Sequence, residues 1–240
     1  CFVLKRHLMI KLIQQNNRLI GSLDDIQALS CKKSARVLVI SDTHGNYKTF
    51  KRIITEFDKT CDGLILCGDC YADITALILE ARADSNLQAL IPSVIAFVQG
   101  NGDPSRYPMG FTIKADCKDE EKEFDFSKSL YFPQKQILCV NNHDILITHG
   151  HNEHIYSGLE QLYFKAQENF CKVVCYGHSH YPSNDYNKEC TLINPGSCSL
   201  PRGGQPASFA ILTAEDKFVD VAFIKIMESG FSLFNPVRFA

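Results

Sequence analysis

Val37-Leu38-Val39-Ile40-Ser41-Asp42-Thr43-His44-Gly45-Asn46 joins four consecutive apolar residues to a polar turn carrying a carboxylate, an imidazole and a glycine. A short unbroken apolar run suits a strand covered on both faces, since a half-wet strand would alternate. The same grammar returns twice. Leu64-Ile65-Leu66-Cys67 runs into Gly68-Asp69, and Val94-Ile95-Ala96-Phe97-Val98 runs into Gly100-Asn101-Gly102-Asp103. Between the first two runs, Phe50, Ile53, Ile54 and Phe57 fall on one helical face; between the second and third, Ile74, Leu77, Ile78 and Ala81 do the same. Strand, helix, strand, helix, strand predicts a parallel sheet with right-handed crossovers.

Downstream the pattern changes. Residues 104–136 read as a loop-like surface insertion, acidic at Asp119, Glu120, Glu121, Glu123 and Asp125. Ile137–Val140 and Ile145–Thr148 flank Asn141-Asn142-His143-Asp144 as a β-hairpin. A helix is expected from about Leu159 to Phe170, then strands at Val173–Tyr176, Thr191–Ile193, Ser208–Leu212 and Phe218–Phe223. Two sheets with helices outside them are the expected α/β architecture. Residues 1–34 stand apart as a helical extension, 35–240 forming the main domain. The extension carries a net charge of +4, with Leu4, Leu8 and Leu12 on one face and a second helix start at Ser22 and Asp25.

The composition excludes several classes of function. Of 240 residues 45% are hydrophobic and 22% charged, a globular balance, and a net charge of −2 gives no electrostatic reason for a stable nucleic-acid or membrane partner. The longest charge-free stretch, 85–102, is broken by Asn86, Gln88, Pro92, Ser93 and Gln99, so no membrane span is expected. Eleven cysteines, an odd number scattered through apolar runs, read as small buried hydrophobes of a reducing, cytoplasmic protein. The stretch Cys1–Ile13 carries Lys5, Arg6 and Lys11 and does not read as a secretory leader. Cys67 and Cys70 have no second pair at zinc-ribbon spacing.

Open α/β sheets place ligands at their strand ends. Here those ends carry Asp42, His44, Asp69, Asn101, His149, His178 and His180, each within three residues of a glycine. One aspartate after a strand is ordinarily a helix N-cap. Five strand ends all furnished with oxygen or imidazole donors exceed what capping explains, so these residues are candidate metal ligands. Seven donors are too many for one zinc and suit two ions if a carboxylate bridges; with no thiolate they favour manganese, iron or zinc.

The series D-T-H-G-N, C-G-D, G-N-G-D, T-H-G-H, Y-G-H-S-H and N-P-G-S, in this order across about residues 36–224, resembles the calcineurin-like metallophosphoesterase superfamily. Within it the resemblance is closest to the small bacterial and archaeal metal-dependent phosphodiesterases. It implies a four-layer αββα sandwich of two mixed β-sheets flanked by helices. It also implies a first ion held by Asp42, His44, Asp69 and His180, and a second by Asp69, Asn101, His149 and His178, with Asp69 bridging. Manganese is the ion implied most often, with nickel, cobalt, iron or zinc as alternatives. Small members of the family often associate, so a homo-oligomer is compatible with the reading.

The expected activity is hydrolysis of a small phosphodiester. Two ions ~3.5–4 Å apart can bridge a hydroxide that attacks phosphorus in line and can neutralise charge on the phosphoryl oxygens. Asn46 is the expected donor to a phosphoryl oxygen, and His151 the expected proton donor to the leaving group. Asn194, Gly196 and Ser197 are read as a supporting turn and Arg202 as a residue beside the phosphate. A phosphomonoesterase or protein phosphatase of the same fold is the runner-up. A protein-binding scaffold like the retromer subunit of this family is the reading from another class.

Overall fold

The computed structural model describes residues 12–58, 60–109, 111–113, 122–124 and 129–237. In chain order, α1 (Leu23–Ser30) leads into β1 (Ser34–Ile40), α2 (Tyr47–Phe57), β2 (Gly63–Leu66), α3 (Tyr71–Ala83), α4 (Ser85–Leu90) and β3 (Val94–Phe97). Two short antiparallel rungs follow, β4 (Arg106–Pro108) with β7 (Ser129–Tyr131), and β5 (Phe111–Ile113) with β6 (Lys122–Phe124). Next come β8 (Lys135–Val140), β9 (His143–Thr148), α5 (Glu160–Glu168), β10 (Val173–Cys175), β11 (Pro182–Tyr186) and β12 (Thr191–Pro195). The chain closes with β13 (Ser208–Glu215), β14 (Phe218–Met227) and β15 (Gly230–Phe234).

The strands form two mixed sheets, a six-stranded one in the order β15-β14-β13-β1-β2-β3 and a five-stranded one in the order β11-β12-β10-β9-β8. β1, β2 and β3 are parallel, as their unbroken apolar runs predict, and all four residues of β2 and of β3 are buried. Val37, Val39, Ile65, Cys67, Val94 and Ala96 meet Leu138, Val140, Ile145, Ile147 and Cys175 between the sheets. The opposite faces are covered by helices. Phe50, Ile53, Ile54, Ile74, Leu77 and Ile78 lie over Leu38, Ile40, Leu64 and Leu66, while Leu162 and Ala166 lie over Leu146, Val174 and Leu192. The result is the four-layer αββα sandwich. The hairpin β8–β9 turns on Asn141 and Asn142, both in the left-handed region, one residue pair tighter than the sequence pattern shows.

The extension is built into this sandwich. Residues 12–22 are not helical: Ile20 pairs antiparallel with Ile95 at the free edge of β3, and Gln14 pairs with Ile20. Helix α1 starts where the sequence places it, with Ser22 accepting from Asp25 N, and buries Leu29 in the core between the sheets. Leu12, Leu19 and Ile20 are buried as well. The face traced by Leu4 and Leu8 lies outside the described residues. The insertion after residue 104 is likewise more than loop: its β4–β7 rung brings Met109 and Leu130 into the outer core. Of its acidic run, the rung β5–β6 includes Glu123, and the other four acidic residues lie outside the described residues.

Candidate metal centre

The candidate ligands gather where the strands of both sheets end. β1 delivers Asp42 and His44, β2 Asp69, β3 Asn101, β9 His149, and β10 delivers His178 and His180. Asp42, Asp69, His149 and His180 form a buried floor, while His44 and Asn101 are exposed and His178 half-buried. Five of the seven, Asp42, His44, Asp69, His178 and His180, hold φ between 46° and 68°. Non-glycine residues adopt this left-handed region sparingly, and it folds each chain end back over the sheet. Two glycines make the close approach possible. At Gly68 (φ +95°) a Cβ would sit 2.5 Å from His149 Nδ1, and at Gly177 it would overlap Ser41 Oγ and lie 2.8 Å from Asp42 Oδ2.

Asp42 is completely buried, and its two oxygens have opposite roles. Oδ2 accepts from Ser41 Oγ (2.6 Å) and from the His178 backbone N–H (3.1 Å). Oδ1 accepts no hydrogen bond. Three imidazole Nε2 atoms surround Oδ1: His180 at 3.2 Å, His44 at 3.8 Å and His149 at 4.0 Å. Burial acts to raise the Asp42 carboxyl, but the imidazoles of His180 and His149 and the Ser41 hydroxyl outweigh it and hold the group below its ordinary value.

The tautomers of two histidines are set by backbone carbonyls. His149 Nδ1–H donates to Cys67 O (2.7 Å) and His180 Nδ1–H to Leu200 O (2.6 Å), so both Nε2 atoms present lone pairs inward. His149 Nε2 lies 3.1 Å from Asn101 Oδ1, and His180 Nε2 lies 3.1 Å from His44 Nε2. Acceptors converging in this way, with a buried carboxylate oxygen among them, fit a cation. Two compact donor sets result: Asp42, His44 and His180, and Asp42, Asp69 and His149. Asp69 is placed between them. Its Oδ1 accepts from Gly102 N (2.7 Å), while Oδ2 lies 3.8 Å from His44 Nε2 and 3.6 Å from His149 Nε2. His178 stands beside the second set, its ring 5.0 Å from that of His149. Burial, and then the neighbouring His149 charge, lower its pKa.

The remaining predicted residues are distributed as follows. Asn46 N-caps α2, its Oδ1 accepting from Thr49 N (3.2 Å), so its amide nitrogen is the group it has for a substrate. The His151 ring lies 5.3 Å from that of His149, its Nδ1 buried without a partner and its pKa lowered by burial and then by His149. Asn194 Nδ2 donates to Gly177 O (2.9 Å) and Oδ1 accepts from Gly196 N (2.9 Å), while Ser197 Oγ donates to Asp42 O (2.7 Å). Arg202 is exposed and donates to Tyr156 Oη (2.8 Å). Cys67 and Cys70 are buried, and neither belongs to a donor set among the described residues.

Sequence reasoning missed Asp103 and Asp73. Asp103 accepts from the backbone N–H groups of Gly100 (2.9 Å), Tyr71 (3.1 Å) and Cys70 (3.4 Å), fixing the Asn101 loop to the start of α3. Asp73 accepts from Gly45 N (2.9 Å) and from Thr43 Oγ1, bracing the turn of His44. An aspartate three residues after a glycine at a strand end is a turn-forming pattern that could have identified Asp103.

Residues 36–217 match the family model of the calcineurin-like phosphoesterase superfamily domain. The probable metallophosphoesterase YsnB of Bacillus subtilis is 33% identical over 187 residues, 78% of this chain and 89% of that protein. The phosphodiesterase YfcE of Escherichia coli K12 is 28% identical over 183 residues, 74% of this chain and 86% of that protein. Among solved structures, Vacuolar Protein Sorting 29 from Cryptosporidium parvum shares the fold with a TM-score of 0.61 at 14% identity, covering 85% of this chain and 97% of that one. No helix among the described residues is long and apolar enough to cross a membrane. Strand ends that converge on an orphaned buried carboxylate oxygen thus coincide with a family match over three quarters of the sequence, and the chain belongs to the calcineurin-like phosphoesterase superfamily.

Proposed function

We propose that the protein is a dinuclear metal-dependent phosphodiesterase acting on a small diester. The observation that carries the reading is Asp42 Oδ1, an unpartnered buried carboxylate oxygen facing three imidazole Nε2 atoms. Asp42, His44, Asp69 and His180 would hold one divalent ion and Asp69, Asn101, His149 and His178 the other, with Asp42 Oδ1 near enough to contribute to both sets. When bound, divalent ions supply an acidified water as nucleophile and neutralise charge on the phosphoryl oxygens. Manganese fits donors that lack thiolate, with nickel, cobalt, iron or zinc as alternatives.

The chain supplies the rest. Carbonyls of Cys67 and Leu200 accept from the Nδ1–H groups of His149 and His180, which fixes both rings with Nε2 turned inward. Asn46 Nδ2 is a donor for a non-bridging phosphoryl oxygen. His151, its ring 5.3 Å from that of His149, takes the role of acid toward the leaving oxygen. Gly102 favours a diester, since it offers no side chain to a monoester dianion and its N–H is engaged by Asp69.

Hydrolysis of bis-(p-nitrophenyl) phosphate and p-nitrophenyl phosphate after exhaustive chelation, and again with each metal restored, tests this. The chelated protein should be inert, and manganese should restore turnover with the diester preferred. Full activity without metal, or a strong monoester preference, refutes the reading, and the second outcome promotes the phosphatase. The scaffold reading is supported by fold likeness alone, while all seven candidate ligand positions here are furnished with donors.

A further inference from the structure

A second cavity, of about 710 Å³, opens beside the candidate metal centre, between the free edge of β11 in one sheet and β14 with residues 235–237 in the other. The segment carrying His178 and His180 is common to both, since Ser179 lines the cavity. Two wall residues are bonded to the ligand carbonyls themselves: Tyr156 Oη donates to His178 O (3.1 Å), and Arg202 N donates to His180 O (3.2 Å). The Tyr156 ring lies 5.2 Å from the His178 ring, and Arg202 Nη1 donates to Tyr156 Oη, so the pair forms a polar lintel between cavity and centre.

Resting on the phosphodiesterase reading, we propose that this cavity receives the nucleoside portion of a nucleotide-type diester. Its volume lies within the ~300–1,000 Å³ of small-molecule sites. Its walls mix rings and apolar surface, from Tyr156, Tyr181 and Phe223, with Asn184, Asp185 and Arg202. A planar heterocycle uses both kinds of wall: it stacks on a phenol ring, and its N–H groups meet carboxylate and amide oxygens. Asn184 Oδ1 has no hydrogen-bond partner, and the residue lines the cavity as an acceptor for a heterocyclic N–H. An acyl chain would instead set Asp185 and Arg202 against hydrocarbon, and a second phosphate would meet the Asp185 carboxylate. Arg202, at the lintel, is left for the single charge of the diester.

The test separates the cavity from the chemistry. Adenosine, which carries no phosphate, is titrated calorimetrically into the full chain with and without manganese. Saturable binding is expected in both conditions, weakened by about tenfold, ~1.4 kcal/mol, in Tyr156→Ala and in Asp185→Ala. Melting curves confirm that each variant is folded; Tyr156 is 65% exposed, so its truncation leaves the core intact. In parallel, kcat/KM is compared for the p-nitrophenyl ester of thymidine 5′-phosphate and for methyl p-nitrophenyl phosphate, which share a leaving group. The nucleoside ester should lead through a lower KM, and the ratio should collapse in both variants. No saturable adenosine binding, with both diesters hydrolysed equally well, overturns the cavity assignment alone. Adenosine binding with neither diester hydrolysed under any metal refutes the phosphodiesterase reading and leaves the cavity a nucleoside site.

Discussion

Replacing Asp42 by asparagine separates the charge on one oxygen from the shape around it. The site dictates how the amide must sit. The Oδ2 position accepts from the His178 N–H, which can only donate, and from Ser41 Oγ, so the amide oxygen has to take that place. The NH2 group then occupies the Oδ1 position, facing the Nε2 atoms of His180, His44 and His149. A donor stands where a ligand lone pair is needed, and it can bond His180 Nε2, 3.2 Å from the present oxygen. The metal-free fold should therefore survive, while ion binding is lost. An ion present at 100 times its Kd stabilises the native state by ~2.7 kcal/mol. For chains of about 150–250 residues each kcal/mol moves Tm by ~2–4 °C, so one ion should raise the wild-type Tm by about 5–11 °C. Melting followed by circular dichroism, with and without manganese after chelation, measures this directly. Wild type should show the shift, and Asp42→Asn should melt near metal-free wild type whether or not the ion is added. An Asp42→Asn protein that keeps the full manganese-induced shift would show that the orphaned oxygen is not a ligand.

Asp69→Asn should abolish turnover and lower bound metal to one equivalent or none per chain, measured by elemental analysis of the folded variant; two equivalents with ordinary turnover would deny Asp69 a bridging place. Gly102→His places a Cβ about 3.1 Å from Asp69 Oδ1 and adds a donor above the centre, so the diester-to-monoester ratio of kcat/KM should fall, one donor being worth on the order of 10²–10³ in rate. An unchanged ratio would remove Gly102 from the argument. Among the described cysteines Cys31 alone is exposed, whereas burial raises the Cys139, Cys171 and Cys190 thiols to about 11. At pH 8 a thiol reagent should label Cys31 first, and peptide mass mapping that finds Cys171 or Cys190 ahead of it would contradict the packing. A chain beginning at residue 35 loses the buried Leu19, Ile20 and Leu29, each worth about 2–5 kcal/mol if truncated, and should not melt cooperatively. One that begins at residue 12 should.

What the sequence reveals depends on whether a letter carries the interaction. The parallel strands were legible because Val37–Ile40, Leu64–Cys67 and Val94–Val98 are apolar without interruption, which only a doubly covered strand tolerates. The candidate ligands were legible because each follows such a run. The anchoring of His149 and His180 was not, since Cys67 O and Leu200 O are backbone atoms that any residue supplies. The pairing of Ile20 was not legible for a different reason: it depends on the unpaired edge of β3, which offers Ile95 as a partner, and no spacing of residues in the extension marks it. The strand β11, with the polar sequence Pro-Ser-Asn-Asp-Tyr, has no apolar signature and is specified by its neighbour β12 instead.

The left-handed backbone at five candidate ligands bears on how this site would be lost. Each such residue stores ~1–3 kcal/mol relative to an ordinary conformation, and glycine would adopt the same angles without that strain. Mutation of His44 to glycine therefore forfeits a donor while relaxing the turn, with the relief set against the greater freedom glycine gives the unfolded chain. Natural drift at such a position meets little resistance from folding, because conformational stability neither requires the imidazole nor rewards it. Only selection for the chemistry can keep all seven positions furnished. A lineage released from that selection would shed its donors first at the exposed rim, at His44 and Asn101, and would keep the sandwich intact as a surface for other uses.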